Sequence, residues 1–171
     1  MLQFLREEKA YDVANLNVTN IFTSEYDLYH MNIVAYVNSD TSNYLFGRLI
    51  DSSGSVISSG EYDMALKNLR SYTTSTQNNF TSTDAFQLGY SQSDSTNSTG
   101  SITKIFNPAD SSKFTFGLTE SSTFVNGFGG AGLKGFFVHR VAETISGFQF
   151  LPSSADSTGI SYIRALFYGV K

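Results

Sequence analysis

His30 and His139 are the two histidines of this 171-residue sequence, and they are the first residues to consider for chemistry. Serine and aspartate are abundant, so either histidine could take part in a Ser-His-Asp triad. The sequence contains no Gly-X-Ser-X-Gly nucleophile motif, however, and abundant serines make chance pairings easy. The two histidines also lack the His-X-X-X-His spacing of a zinc site. We therefore expect ordinary strand or surface histidines.

Paired carboxylates are the minimum that glycoside hydrolysis requires. Glu61 and Asp63 lie on one face of a predicted strand, and Glu120 and Glu143 lie near strand ends. Nothing selects two partners among the 15 acidic residues, and tryptophan, which carbohydrate-cleaving clefts usually contain, is absent. The Asp/Asn-rich turn at 40–43 lacks the Asp-X-Asp-X-Asp-Gly pattern of a calcium loop. The sequence thus predicts no enzyme, no catalytic residue, no cofactor and no metal site.

Five glycines fall between positions 127 and 135, a density that resembles a phosphate-binding loop. No Lys-Ser/Thr pair follows them, and Gly135 begins a predicted strand where a phosphate loop requires a helix. We predict a tight bend or a close backbone contact here.

The composition excludes several classes of function. The formal net charge is -4, and the 11 basic residues are scattered, so we expect no nucleic-acid partner. Cysteine is absent, which excludes a disulfide scaffold, a thiolate zinc site and a cysteine nucleophile. Residues 1–9 carry early acids and no long apolar segment, so we expect no secretory signal, no membrane span and folding in a cytoplasm.

Apolar and polar side chains alternate from about residue 15 onward, which is the pattern of half-buried strands. The clearest strand runs from Tyr29 to Val37. Further strands are predicted at 44–50, 56–66 with an interruption at Gly60, 85–90, 101–106, 114–118, 135–138, 144–151 and 159–170. Turns or exposed loops are predicted at 39–43, 51–55, 71–84, 91–101 and 152–157.

Helical periodicity is missing between the predicted strands, which argues against a parallel sheet. The 15 phenylalanines and 10 tyrosines favour pleated, half-buried surfaces. Jelly rolls accommodate long crossover loops better than tight meanders do. We predict an all-β, antiparallel jelly-roll-like β-sandwich formed by one domain over residues 13–171, with a short N-terminal arm over residues 1–12.

Residues 2–10 could form one or two turns of helix, with charged residues following Leu2 and Leu5. A helix of this length is marginal without a partner surface. The segment is therefore either a frayed terminus or a docking arm. In the second case Leu2, Phe4 and Leu5 are the candidate interaction residues.

Tyrosine combines a large apolar area with a polar tip, which suits sugar stacking and protein interfaces. Most tyrosines of this chain are expected at the rim of the core, but as a group they could form such a face. The candidates are Tyr26, Tyr29, Tyr36, Tyr44, Tyr62, Tyr72 and Tyr90.

The chain from about residue 44 to 171 carries a family resemblance. The segments concerned are Ser101–Pro108, Phe114–Phe116, Gly127–Gly135, Ile145–Phe150 and the closing Gly159–Lys171. They resemble the jelly-roll domains of tailed-bacteriophage virion proteins, which often close on a strand of the form Gly-x-Ile, six further residues, then Leu-Tyr-Gly. Phe167 departs from that pattern at one of its late positions.

This resemblance implies a non-enzymatic structural component of a phage particle, made in the bacterial cytoplasm and located in the virion. Its partners would be other virion proteins, namely the major capsid protein or tail components. The resemblance also implies a homo-oligomer, trimeric or otherwise. The leading hypothesis is a capsid decoration, or cement, protein that clamps the shell. The alternative is a tail-fibre or receptor-binding adaptor domain that recognises a host surface glycan or protein.

Overall fold

The computed structural model describes residues 1–39, 43–91, 98–153 and 159–171, which form twelve β-strands. In chain order these are β1 (Leu2–Val13), β2 (Leu16–Val18), β3 (Leu28–Asn38), β4 (Asn43–Asp51), β5 (Tyr62–Arg70), β6 (Thr76–Thr83), β7 (Phe86–Ser91), β8 (Gly100–Phe106), β9 (Thr115–Val125), β10 (Gly129–His139), β11 (Ile145–Pro152) and β12 (Ile160–Val170). Over these same ranges, no helix is long and apolar enough to cross a bilayer.

The strands form two antiparallel sheets that pack as a sandwich. The larger sheet has eight strands in the order β1-β12-β3-β8-β9-β10-β5-β6, and the smaller has four in the order β2-β11-β4-β7. The pairs β1/β12, β2/β11, β3/β8 and β4/β7 are those of a strip folded back on itself and rolled, which is jelly-roll connectivity. The prediction of an antiparallel jelly-roll-like sandwich is confirmed. The strands β9, β10, β5 and β6 extend the larger sheet beyond β8.

Aromatic side chains fill the space between the sheets. The Phe86 and Phe137 rings stack with centroids 3.6 Å apart and planes only 9° apart. Phe148 meets Phe86 edge-on at 5.6 Å and also contacts Phe150 at 4.9 Å. Because β7, β10 and β11 contribute these rings, they join the smaller sheet to the extension of the larger one.

The expected helical turn at residues 2–10 is wrong, because this segment lies within β1. β1 pairs with β12 from Leu2 opposite Val170 to Val13 opposite Ile160, with one bulge between Phe4 and Arg6. A short isolated helix must overcome a costly nucleation step, whereas β12 offers a ready row of backbone partners. Residues 1–12 are thus continuous with the edge of the larger sheet, and release of this strand as an arm stays a prediction.

The exposed loop expected at 71–84 is also partly wrong, because Thr76–Thr83 forms β6 at the opposite edge of the larger sheet. Its side chains are almost all exposed. A strand with two exposed faces has no apolar alternation to reveal it. Its pairing with β5 alone places it in the sheet.

The glycine-rich segment forms a tight hairpin between β9 and β10, as predicted. Gly127 and Gly129 adopt φ angles of +77° and +135°, which residues with a Cβ atom rarely adopt. The Phe128 amide donates to the Val125 carbonyl over 3.0 Å and closes the turn. Of the other predicted loops, residues 40–42, 92–97 and 154–158 lie outside the described residues.

Candidate functional site

The outer face of the larger sheet, which points away from the smaller sheet, carries exposed apolar side chains. In β9, Thr115, Gly117 and Thr119 point inward and are buried, whereas Phe116 and Leu118 between them point outward. Because successive residues of a strand face opposite sides, one regular strand supplies both surfaces. The predicted alternation at 114–118 is therefore confirmed as a strand, with its large side chains on the solvent side.

Neighbouring strands extend this apolar surface. Phe136 of β10 lies opposite Leu118, and Val138 of β10 and Phe106 of β8 lie on either side of Phe116. We call these five residues the apolar strip. Leu118 is 49% exposed and Phe136 is 46% exposed. Residues of the strip line a shallow groove of about 520 Å³.

Charged groups border the apolar strip. Lys104 of β8 lies opposite Leu118 of β9. Lys134 and Glu120 form an exposed ion pair of 2.7 Å one step further along β9 and β10. Asp63 lies opposite Val138, where Arg140 approaches it within 3.3 Å. An apolar centre with a charged border has the anatomy of a protein-protein interface.

The structure places the three predicted interaction residues differently from one another. Leu2 and Phe4 are exposed, but Leu5 is partly buried and packs against the core. Phe4 lies on the outer face, where its ring meets the edge of Tyr168 at 5.6 Å.

The pairing register of the strands fixes where Phe4 lies relative to the apolar strip. One row across the sheet runs from Phe4 through Tyr168, His30 and Lys104 to Leu118. Four strand spacings separate the two ends of this row, or about 19 Å. Phe4 therefore shares a face with the strip without touching it.

His30 is half-buried in that same row, beside Lys104. Burial of the ring, and then the charge of Lys104, lower the pKa of His30 below its ordinary value. Both effects favour the neutral form of the imidazole.

His139 lies in a second cluster, at the end of the sheet where β10 stops and β5 begins. Its ring is fully buried, and its Nε2 lies 3.0 Å from Glu61 Oε2 and 3.5 Å from Glu143 Oε1. Glu61 precedes β5, and Tyr62, which follows it, pairs with His139 across the sheet. Glu143 lies in the connection from β10 to β11.

The two carboxyl groups of this cluster differ electrostatically. Hydrogen bonds from the Ser59 side chain and then from His139 lower the pKa of Glu61. Burial raises the pKa of Glu143, with smaller contributions of the same sign from the charges of Glu61 and Asp51, against an opposing one from His139.

No motif in the sequence links these three residues. Glu61 and His139 are 78 positions apart, and their contact depends on the register of β5 against β10. Only the four-residue spacing of His139 and Glu143 was visible in the sequence. The strand neighbour of Glu61, Asp63, instead lies beside Arg140, and Glu120 pairs with Lys134.

The predicted tyrosine face does not form as one surface. Five of the seven candidates are buried in the core, namely Tyr26, Tyr29, Tyr36, Tyr62 and Tyr90. Tyr72 is exposed and packs beside Phe128 at 5.5 Å. Another exposed tyrosine, Tyr11, contacts Tyr162 at 4.9 Å on the face that also carries Phe4.

Two comparisons with known proteins found no relative of this chain. No protein-family model matches the chain, and a search of curated proteins returns no matching sequence.

Proposed function

We propose that this protein is a non-enzymatic structural component of a bacteriophage virion, specifically a capsid decoration protein that attaches to the shell. The apolar strip would be its attachment surface, and the exposed Phe4 of β1 would make a peripheral contact. The partner would be the major capsid protein. The phage context comes from the sequence resemblance, and the attachment surface comes from the exposed side chains.

The apolar strip is the observation that carries this proposal. Leu118 and Phe136 are side by side, each nearly half exposed, on regular strands whose opposite faces are buried. Isolated exposed apolar residues are ordinary, but a contiguous patch marks an interaction site. A shallow, open groove on a sheet face, with a charged border, fits a protein surface better than a small ligand, which requires a site that encloses it.

The alternative of a glycan-binding tip has less support from the described residues. Its predicted tyrosine surface is mostly core, and residues 92–97 and 154–158 of its predicted loops are not described. An aromatic pair on the outer face, the exposed Tyr11 and the half-buried Tyr162, is the feature that would favour it.

A charge placed at the centre of the strip tests the proposal. Leu118→Lys inserts an ammonium group where the partner would exclude water, and we expect at least tenfold weaker binding, equivalent to about 1.4 kcal/mol. The assay is cosedimentation with shells of the encoding phage, assembled without this protein.

Leu69→Lys is the matched control. Leu69 has similar exposure, 44%, and lies on the same outer face in β5. Register and strand spacing place it about 16 Å from Leu118. Equal shell binding by both variants and the unmodified protein would refute attachment through the strip. Saturable binding of a glycan, without any shell binding, would favour the adaptor alternative.

A further inference from the structure

The cluster of Glu61, His139 and Glu143 has the donor set of a metal site, and it lies apart from the apolar strip. It offers one imidazole nitrogen and two carboxylate oxygens, all within 4.8 Å of one another.

The buried imidazole is the first argument. The His139 ring is fully buried, and its Nε2 points at the two carboxylates. Its Nδ1 is buried without a hydrogen-bond partner in the described part of the chain. In that part of the chain, the polar contacts of the His139 ring are therefore those that Nε2 makes with the two carboxylates. An ion bound between the two carboxylates would therefore meet Nε2, the ring nitrogen that faces them.

The balance of charge is the second argument. Two carboxylates converge on a single imidazole, which supplies at most one positive charge. The charge of Arg140 acts weakly on Glu61, but its guanidinium makes its contacts elsewhere: it donates to the Gly60 carbonyl and the Ser82 hydroxyl and approaches Asp63 within 3.3 Å. A divalent cation would compensate the negative charge that remains.

The distances are the third argument. In a tetrahedral zinc site with bonds of about 2.0–2.1 Å, neighbouring ligand atoms lie about 3.3 Å apart. The separations from His139 Nε2 to Glu61 and Glu143 are 3.0 and 3.5 Å, one on each side of that value. The side chains of Glu61 and Glu143 are 31% and 33% exposed, so an ion can reach both carboxylates from solvent.

We propose that Glu61, His139 and Glu143 bind one Zn²⁺ ion, with water completing the coordination. Imidazole nitrogen with carboxylate oxygen suits Zn²⁺, whereas Ca²⁺ takes six to eight oxygen ligands and Mg²⁺ requires an octahedral oxygen shell. The ion would tie the start of β5 to the end of β10 and to the connection that leads into β11 of the smaller sheet. Its effect would be structural, fixing this crossover between the sheets.

Isothermal titration of the metal-stripped, tag-free full chain with Zn²⁺ tests the site. We expect one ion per chain, and at least tenfold weaker binding in Glu61→Gln and in Glu143→Gln, because each variant removes a charged ligand. Glu120→Gln is the matched control, since it removes the same charge from an exposed carboxylate paired with Lys134. We expect its zinc affinity to equal that of the unmodified protein.

NMR of the imidazole nitrogens uses the unmodified protein, so its result does not depend on whether the variants fold. Zn²⁺ should shift the Nε2 resonance of His139 and leave that of His30 unchanged. Absence of zinc binding, a shift of His30 alone, or equal affinity in all three variants would overturn the proposal, the last outcome indicating adventitious surface binding. Binding of Ca²⁺ in place of Zn²⁺ would overturn it as well.

Discussion

Gly117 in β9 lies directly opposite Phe137 of β10. Its replacement by alanine tests how closely the core is packed beneath the apolar strip. A Cβ at this position would lie 1.9 Å from Phe137 Cε1 and 2.2 Å from Cζ. Ordinary carbon contacts are about 3.5–4.0 Å, so the ring would have to move by roughly 1.6 Å or more. Phe86, on which the Phe137 ring stacks at 3.6 Å, blocks its movement in that direction.

These contacts determine how much Gly117→Ala should lower the free energy of unfolding. Overpacking a core costs about 1–3 kcal/mol, and a fully buried ring stacked on a second one places this site near the upper limit. Alanine recovers about 0.4–1 kcal/mol by restricting the unfolded chain. We therefore expect Gly117→Ala to lower the free energy of unfolding by about 2 kcal/mol. At this chain length that corresponds to a Tm decrease of roughly 4–8 °C.

Urea unfolding and calorimetry measure this loss, and Gly100→Ala is the control. Gly100 lies in β8, and the nearest atom to its Cβ position would be the Ile33 carbonyl oxygen at 3.9 Å. This control should be unchanged or slightly stabilised, by up to about 1 kcal/mol. If Gly117→Ala proved as stable as Gly100→Ala, the packing of Phe137 described above would be refuted.

Two further predictions concern a tyrosine of the core and an aspartate of a turn. The Tyr62 hydroxyl accepts from the Leu49 amide and donates to the Ile57 carbonyl, over 2.9 and 3.1 Å in the core. Tyr62→Phe should therefore cost about 1–3 kcal/mol in urea unfolding, since it leaves both backbone groups unpaired; an unchanged midpoint would contradict this. Hydrogen bonds from the Ser53 hydroxyl, and then from backbone amides of the same turn, lower the pKa of Asp51. The resulting stabilisation is complete above the unfolded pKa of about 3.9 and is lost as pH falls through the lower folded pKa, so Asp51→Asn should be less stable than the parent at pH 7 and approach it in acid. A stability difference that stayed constant from pH 7 to pH 2 would show that the Asp51 carboxylate is not responsible.

The sequence allowed the fold class to be predicted because apolar alternation is a local property of each strand. It located the strands near 29–37, 101–106 and 159–170 and the hairpin at Gly127, since each of these depends on neighbouring residues alone. It failed for β1 and β6. In β1, Arg6 to Lys9 interrupt the apolar pattern, and in β6 almost every side chain is exposed, so only pairing with β12 and β5 makes these segments strands.

The candidate sites depended on tertiary structure. Alternation indicates that Phe116 and Leu118 share one face of a strand, but it does not say which face a second sheet covers. The smaller sheet has only four strands against eight, and it packs on the inner face, so these side chains remain exposed. Likewise, Glu61 and His139 meet only because β5 pairs with β10 in a register that places Tyr62, the neighbour of Glu61, opposite His139. Composition and periodicity thus determined what the strands are, and long-range pairing decided which of their residues act together.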